Sequence, residues 1–172
     1  MTNLLAADDH QPSGNGLGPN EPYETVDVSF DLEIGQSAGR STLRLIMSAP
    51  DHPDAVITYP DGSQQLAVPP GALRLFRITL SGSWDWKFDL GADIQRASIR
   101  FKDSGHAGFY HIAAAGDRAM GLVGRSTVKA DYTGQGKRHP FNLYVQFNQP
   151  GGLAPLRVRI DPDTGNPPIP PG

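Results

Sequence analysis

Residues 25–34, TVDVSFDLEI, decide the fold. Apolar side chains occupy every second position of this stretch, and polar side chains fill the positions between them. A period of two is typical of a β-strand that buries one face and exposes the other. The stretch therefore predicts a half-buried strand, whose buried face comprises Val26, Val28, Phe30, Leu32 and Ile34.

The same alternation recurs along most of the chain. It resumes at Leu43, Leu45 and Met47, which predicts a hairpin with the first strand and sets Arg44 opposite the acids of that strand. Residues 56–59 and 65–68 predict a second hairpin, and residues 141–147 and 156–160 predict further strands. In residues 73–80 the apolar side chains move from odd to even positions after Leu75, which indicates a β-bulge near that residue.

Composition agrees with an all-β fold. The 172 residues include 20 Gly and 16 Pro, a proportion typical of short strands joined by tight turns. We expect a single antiparallel β-sandwich of Greek-key or jelly-roll type, with about eight to ten strands. Residues 24–162 would form this domain, after a flexible acidic arm at residues 1–23 and before a proline-rich tail at residues 163–172.

Several classes of function are disfavoured. The chain contains no cysteine, which removes disulfides, thiolate metal sites and a cysteine nucleophile. Its net charge is −3, without the clustered Lys and Arg that nucleic-acid binding requires, so no nucleic-acid partner is expected. No apolar run is long enough for a membrane span, and no signal peptide is recognisable, so we expect a cytoplasmic protein without a membrane partner. No cofactor is expected.

Catalytic patterns are weak. Two Asp-Ser/Thr-Gly triplets begin at Asp103 and Asp163, and such triplets carry the catalytic carboxylates of aspartic proteases. The same triplets are common turn sequences, so no catalytic residue is assigned. Five dispersed histidines lack metal-ligand spacing, so no metal site is expected. Two of them, His106 and His111, could lie close to Asp103. The histidines are His10, His52, His106, His111 and His139.

Two tryptophans raise the possibility of a ligand site. Trp84 and Trp86 are two residues apart, so they share one face of a strand and could form an exposed platform for a sugar ring. Phe88 continues the same face, and three aromatics with this period are also typical of a core stripe. Tyr59 would add aromatic surface to such a ligand-binding site.

Three segments in the second half resemble a group of known proteins. They are SIRFKD at residues 98–103, FNLYVQF at 141–147, and IDPD at 160–163 followed by Asn166 and Pro167. In this order they resemble small bacterial β-sandwich proteins, some of them named nucleotide synthetases, and more distantly the inclusion-body proteins of the AidA/PixA type. The resemblance implies a cytoplasmic bacterial sandwich and assigns no catalytic residue.

These observations favour a non-enzymatic protein that acts by binding, through self-association or by capturing a protein partner along its sheet edges. The alternative is a module that binds a small ligand or carbohydrate with Trp84, Trp86 and Tyr59. A hydrolase that uses Asp103 or a pair of histidines is the third hypothesis.

Overall fold

The structure is a computed structural model that describes residues 21–89, 98–102, 107–112, 116–134 and 138–162. The regular elements in these ranges are β-strands, apart from two three-residue 3-10 turns, which confirms the all-β prediction. Two 3-10 turns, Pro53–Ala55 and Pro150–Gly152, are the helical segments described. The strands are β1 (Glu24–Ser37), β2 (Arg40–Ser48), β3 (Val56–Thr58), β4 (Gln64–Leu66), β5 (Leu73–Leu80), β6 (Trp86–Phe88), β7 (Ile99–Phe101), β8 (Ala107–Ile112), β9 (Ala119–Ser126), β10 (Phe141–Phe147) and β11 (Leu156–Ile160).

The strands form two sheets and a ribbon. The first sheet has the order β2-β1-β5-β9-β8. In the second sheet β10 pairs with β11 on one edge and with β6 and β7 on the other. Strands β3 and β4 form a separate two-stranded ribbon. The described residues thus contain 11 strands, one more than the upper end of the predicted range.

The purely antiparallel prediction is wrong. Both predicted hairpins form, with β1 antiparallel to β2 and β3 antiparallel to β4. On its other edge, however, β1 runs parallel to β5, from the pair Glu24 and Arg74 to the pair Phe30 and Leu80. Alternation assigns faces to a strand but does not assign its neighbours, so the sequence could not reveal this mixed sheet.

One apolar core joins the two sheets. Trp86, Phe88, Leu143 and Val145 of the second sheet belong to the same buried cluster as the inner face of β1. Phe30 stacks on Phe141 across the core, with ring centroids 6.3 Å apart. Four of the five predicted core residues of β1 are buried, whereas Ile34 is 53% exposed near the end of the strand.

The predicted bulge in β5 is also wrong. The strand pairs with β1 and β9 in unbroken register. It buries both of its faces, since Phe76 faces the main core while Leu73 and Leu75 join a smaller cluster with Val123. Burial of both faces explains why the apolar positions change parity, so no bulge is needed. Tyr23, expected in the flexible arm, packs against the smaller cluster.

Gly71 fixes the turn that leads into β5. Its φ of +72° lies in the left-handed region, and a Cβ at this position would lie 2.9 Å from the backbone of Ala130. Its N–H donates to the carbonyl of Val128 at 3.0 Å. The turns around residues 71 and 130 are therefore packed backbone against backbone.

We expect Gly71→Ala to lower the free energy of unfolding by about 2–4 kcal/mol, from left-handed strain and overpacking together. Gly39→Ala is the matched control, because Gly39 has a φ of +73° and a Cβ added there would meet nothing within 4 Å. The control should lose about 1 kcal/mol. Urea unfolding measures both variants, and equal losses would contradict the packing argument.

Candidate functional site

The two tryptophans do not form an exposed pair. Trp86 is 1% exposed and donates its indole N–H to the carbonyl of Ser81 at 3.1 Å. Trp84 is half-buried and donates to the carbonyl of Leu32 at 2.9 Å. Both rings contact Phe147, each with a centroid separation of 6.2 Å. Trp86 therefore lies in the core, as the reading of a core stripe predicts, while Trp84 is partly exposed, so the two indoles do not form a shared exposed platform.

Tyr59 lies in a different part of the fold, just after β3 of the ribbon. The guanidinium of Arg138 stacks over its ring at 3.7 Å from the centroid. Arg138 also pairs with Asp61 at 3.3 Å. Hydrogen bonds from the hydroxyl and backbone N–H of Ser63, with Arg138 nearby, lower the pKa of Asp61 to about 2. Tyr59 therefore belongs to a polar cluster on the ribbon and is not grouped with the tryptophans.

The histidine and aspartate hypothesis lies largely beyond the described part of the chain. Asp103, His106 and Asp163 are outside those residues, and only the backbone of His111 is described, in β8. Among the described residues, no group of three His, Asp or Glu side chains could hold a metal ion. The structure therefore adds no support to a site built on Asp103.

A cleft of about 300 Å³ lies beside the ribbon. Its floor holds Gln65 and His139, which are 4% and 5% exposed. The side-chain oxygen of Gln65 accepts a hydrogen bond from the backbone N–H of His139 at 2.8 Å, which fixes the two segments together. The remaining walls are mostly apolar, and they comprise Asp54, Ile57, Ala67, Val68, Pro69, Pro70, Val128, Tyr132 and Gly134.

A buried arginine stands behind one wall of this cleft. Arg74 is 3% exposed, and its guanidinium donates to Glu24 at 2.7 Å, to the carbonyl of Ala67 at 2.9 Å, and to Asp54. The hydrogen bond from Arg74 lowers the pKa of the Asp54 carboxyl below its ordinary value. Arg74 thus joins β1, β5 and the segment that enters the ribbon.

The outer face of the second sheet carries positive charge. Tyr144 and Gln146 point away from the core on β10, and directly opposed residues of neighbouring strands share a face. Arg159 opposes Tyr144, while Arg157 and Lys87 oppose Gln146 from either side. Arg100 on β7 lies over the ring of Tyr144, 4.8 Å from its centroid. We call this surface the cationic face, defined by Lys87, Arg100, Tyr144, Arg157 and Arg159.

The cationic face is only partly neutralised. Within the described residues, Lys87, Arg100 and Arg159 form no ion pair with a carboxylate, and Arg157 lies 3.7 Å from Asp89. The first sheet differs, because three acids of the N-terminal segment pair with its arginines. Its ion pairs are Glu21 with Arg125, Glu24 with Arg74, and Asp27 with Arg77. These acids of the N-terminal segment are therefore neutralised within the first sheet.

Strand β11 forms an open edge of the second sheet. Among the described strands it is hydrogen-bonded to β10 alone, although β2 of the first sheet also approaches it. Its other side therefore presents backbone N–H and C=O groups that pair with no described strand. Arg157 and Arg159 are exposed on the cationic face. On the opposite face Leu156 is 53% exposed beside Phe147, and Leu153 in the preceding turn is 64% exposed. An added strand would meet positive charge on one face and apolar surface on the other.

Comparison with known proteins identifies no relative. No family model, no curated protein and no solved structure matches the chain. In the described part of the chain, no helix has the length and apolar character to cross a bilayer. The fold and site therefore define a class only: an all-β domain with a cationic sheet face beside an open edge strand. The resemblance to bacterial sandwich and inclusion-body proteins stays a prediction.

Proposed function

We propose that the protein is a non-enzymatic binding protein that captures an extended acidic segment of a protein partner along β11. The observation that supports the proposal is the open edge of β11, with two exposed arginines on one face and Leu156 on the other. Strand addition derives affinity from main-chain hydrogen bonds and specificity from alternate side chains. The fitting partner alternates acidic and apolar residues.

Charge disfavours the simplest self-association. A symmetric antiparallel pair of two β11 strands centred on Val158 would place Arg157 opposite Arg159 of the second copy. Like charges directly opposed across two strands are destabilising. The same arginines favour a partner with Asp or Glu at alternate positions, so we favour a partner protein over a second copy.

The chain itself supplies a suitable probe. Residues 26–33, VDVSFDLE, alternate apolar residues with Asp27, Ser29, Asp31 and Glu33. An end-capped peptide of this sequence should bind the full-length protein, and a peptide with Lys at the three acidic positions should not. N-methylation of alternate peptide nitrogens keeps the charges and removes half of the backbone donors, so it should also abolish binding if a strand is added.

The protein variant to test is Arg157→Glu with Arg159→Glu. It should weaken binding of the acidic peptide at least about fourfold, because two cross-strand pairs worth about 0.2–1 kcal/mol each become repulsive by a similar amount. The matched control is Arg40→Glu with Lys129→Glu, which makes the same change in net charge at exposed positions elsewhere. Isothermal titration calorimetry measures affinity, and circular dichroism checks folding. Equal weakening by both variants would leave only a general effect of net charge and contradict the site.

A further inference from the structure

The cleft beside the ribbon contains a hydrogen-bond donor that no described residue uses. Gln65 is 4% exposed and lines the cleft. Its side-chain oxygen accepts the backbone N–H of His139, which fixes the orientation of the amide and identifies the other atom as the nitrogen. Within the described ranges that nitrogen donates to no acceptor, and it is not sealed in the interior, since the enclosed polar atoms that lack a partner belong to other residues. A donor in this position favours a ligand that carries an acceptor.

Apolar side chains surround this donor. Ile57 of β3 directly opposes Gln65 of β4, so the two side chains share one face of the ribbon. Ile57 is 40% exposed, although it lines the cleft. Val68, Pro69 and Val128 line it as well. Small-molecule sites are typically apolar cavities of about 300–1,000 Å³ with a few polar groups, so the cleft has room for a ligand about the size of one aromatic ring with a short chain.

A carboxylate gives the cleft its charge. Asp54 lines the cleft, and Arg74 donates to only one of its carboxylate oxygens, Oδ2. The Asp54 side chain is 62% exposed, so the carboxylate can accept a further hydrogen bond where the cleft meets solvent. Arg74 also pairs with Glu24, so two carboxylates share one guanidinium and one negative charge is left over. His52, whose imidazole lies 3.4 Å from Glu24, adds no charge in its neutral form. This end of the cleft therefore favours a cation.

We propose that the cleft binds a small amine whose apolar body carries a hydrogen-bond acceptor at its far end. The ammonium pairs with Asp54, the acceptor meets the side-chain nitrogen of Gln65, and the apolar body lies against Ile57. Arg138 contributes little repulsion, because it is paired with Asp61 at 3.3 Å. The inference goes beyond the proposed function, since it involves neither the open edge of β11 nor the cationic face.

Three related probes test the two polar contacts separately. Tyramine has an ammonium at one end and a phenolic oxygen at the other, tyrosol replaces the ammonium by a hydroxyl, and phenethylamine lacks the phenolic oxygen. Tyramine should bind the full-length protein about threefold more tightly than either analogue, because each analogue loses one polar contact. Titration of isotope-labelled protein followed by nuclear magnetic resonance measures the three affinities. Tyramine should also shift the side-chain amide resonance of Gln65 more than phenethylamine does.

Matched variants locate the probe. Ile57→Lys should weaken tyramine binding at least about fivefold, because it removes an apolar contact and places a like charge beside the ammonium. Ile34→Lys is the control, since Ile34 is also an exposed isoleucine, lies outside the cleft and gives the same change in net charge. Asp54→Asn should abolish the preference for tyramine over tyrosol. Asp51→Asn should retain it, because Asp51 is an exposed acid that does not line the cleft.

Each outcome decides the proposal. Tighter binding of tyramine that Ile57→Lys weakens and Ile34→Lys does not would support the site. Equal affinity for the three probes, or no binding of any of them up to their solubility limits, would overturn it. Equal weakening by the two isoleucine variants would place the probe outside the cleft, and an unchanged preference in Asp54→Asn would overturn the role of the carboxylate. None of these results alters the expected binding of an acidic peptide at β11, so the two proposals can fail separately.

Discussion

Replacing Trp86 by alanine is expected to lower the free energy of unfolding by about 3–5 kcal/mol, the range for removing a large buried aromatic side chain. Trp86 is 1% exposed, and it stacks on Phe147 with an interplanar angle of 14°. The substitution also removes the indole donor from the carbonyl of Ser81. Urea unfolding followed by far-ultraviolet circular dichroism measures the loss.

Trp84→Ala is the comparison, because Trp84 lies two positions away and is only half-buried. It should lose less, about 1–3 kcal/mol, from partial burial and one hydrogen bond. Fluorescence of Trp84→Phe reports Trp86 alone, and its emission should be blue and resistant to iodide. A panel of glycans should leave that emission unchanged. Equal losses from the two alanine variants, or a red emission from Trp86, would contradict its place in the core.

Removing both carboxylates around Arg74 is expected to cost more than removing Arg74 itself. In the variant Glu24→Gln with Asp54→Asn, the buried guanidinium loses both counter-charges, and breaking such a buried pair costs about 3–5 kcal/mol. Arg74→Met leaves two carboxylates that are 45% and 62% exposed and can be hydrated. That variant loses chiefly the hydrogen bond to Ala67, about 1–3 kcal/mol.

The pH dependence of stability provides a second readout of this cluster. Because Arg74 lowers the pKa of Asp54, the folded state holds that carboxylate ionised more readily than the unfolded state does. Its contribution is complete above the ordinary pKa of 3.8 and is lost as the pH falls through the lower folded value. Arg74→Met should weaken this acid dependence. If Arg74→Met were the less stable variant at pH 7, the desolvation argument would be wrong.

The elements with one buried face were predictable from the sequence. β1 and β2 show this best, because Val28 and Leu45 are buried while Asp27 and Arg44 lie on the polar face. β5 failed the same test, because apolar residues pack against both of its faces, the main core on one and the cluster of Leu73, Leu75 and Val123 on the other, so its alternation disappears. Its parallel pairing with β1 depends on residues 50 positions apart, which no local pattern encodes.

The candidate site was predictable only in fragments. The alternation at residues 156–160 places Arg157 and Arg159 outward, and both are exposed. Their union with Lys87 and Arg100 depends on the register of β10, which the sequence does not specify. The charge pattern along the chain also does not reveal the cationic face, because acids of the first 34 residues, such as Asp27, pair with arginines of the first sheet and not with those of the second.

The parallel pairing of β1 and β5 also constrains how the chain can fold. Until residue 80 has been synthesised, β1 can pair only with β2, because the partner of its other edge is β5. Closing a segment of this length costs chain entropy before any contact repays it, so contacts of high sequence separation slow folding. Docking of the β1–β2 hairpin onto β5 should therefore be a slow step, and a nascent chain stalled before residue 80 would expose a 14-residue strand to aggregation.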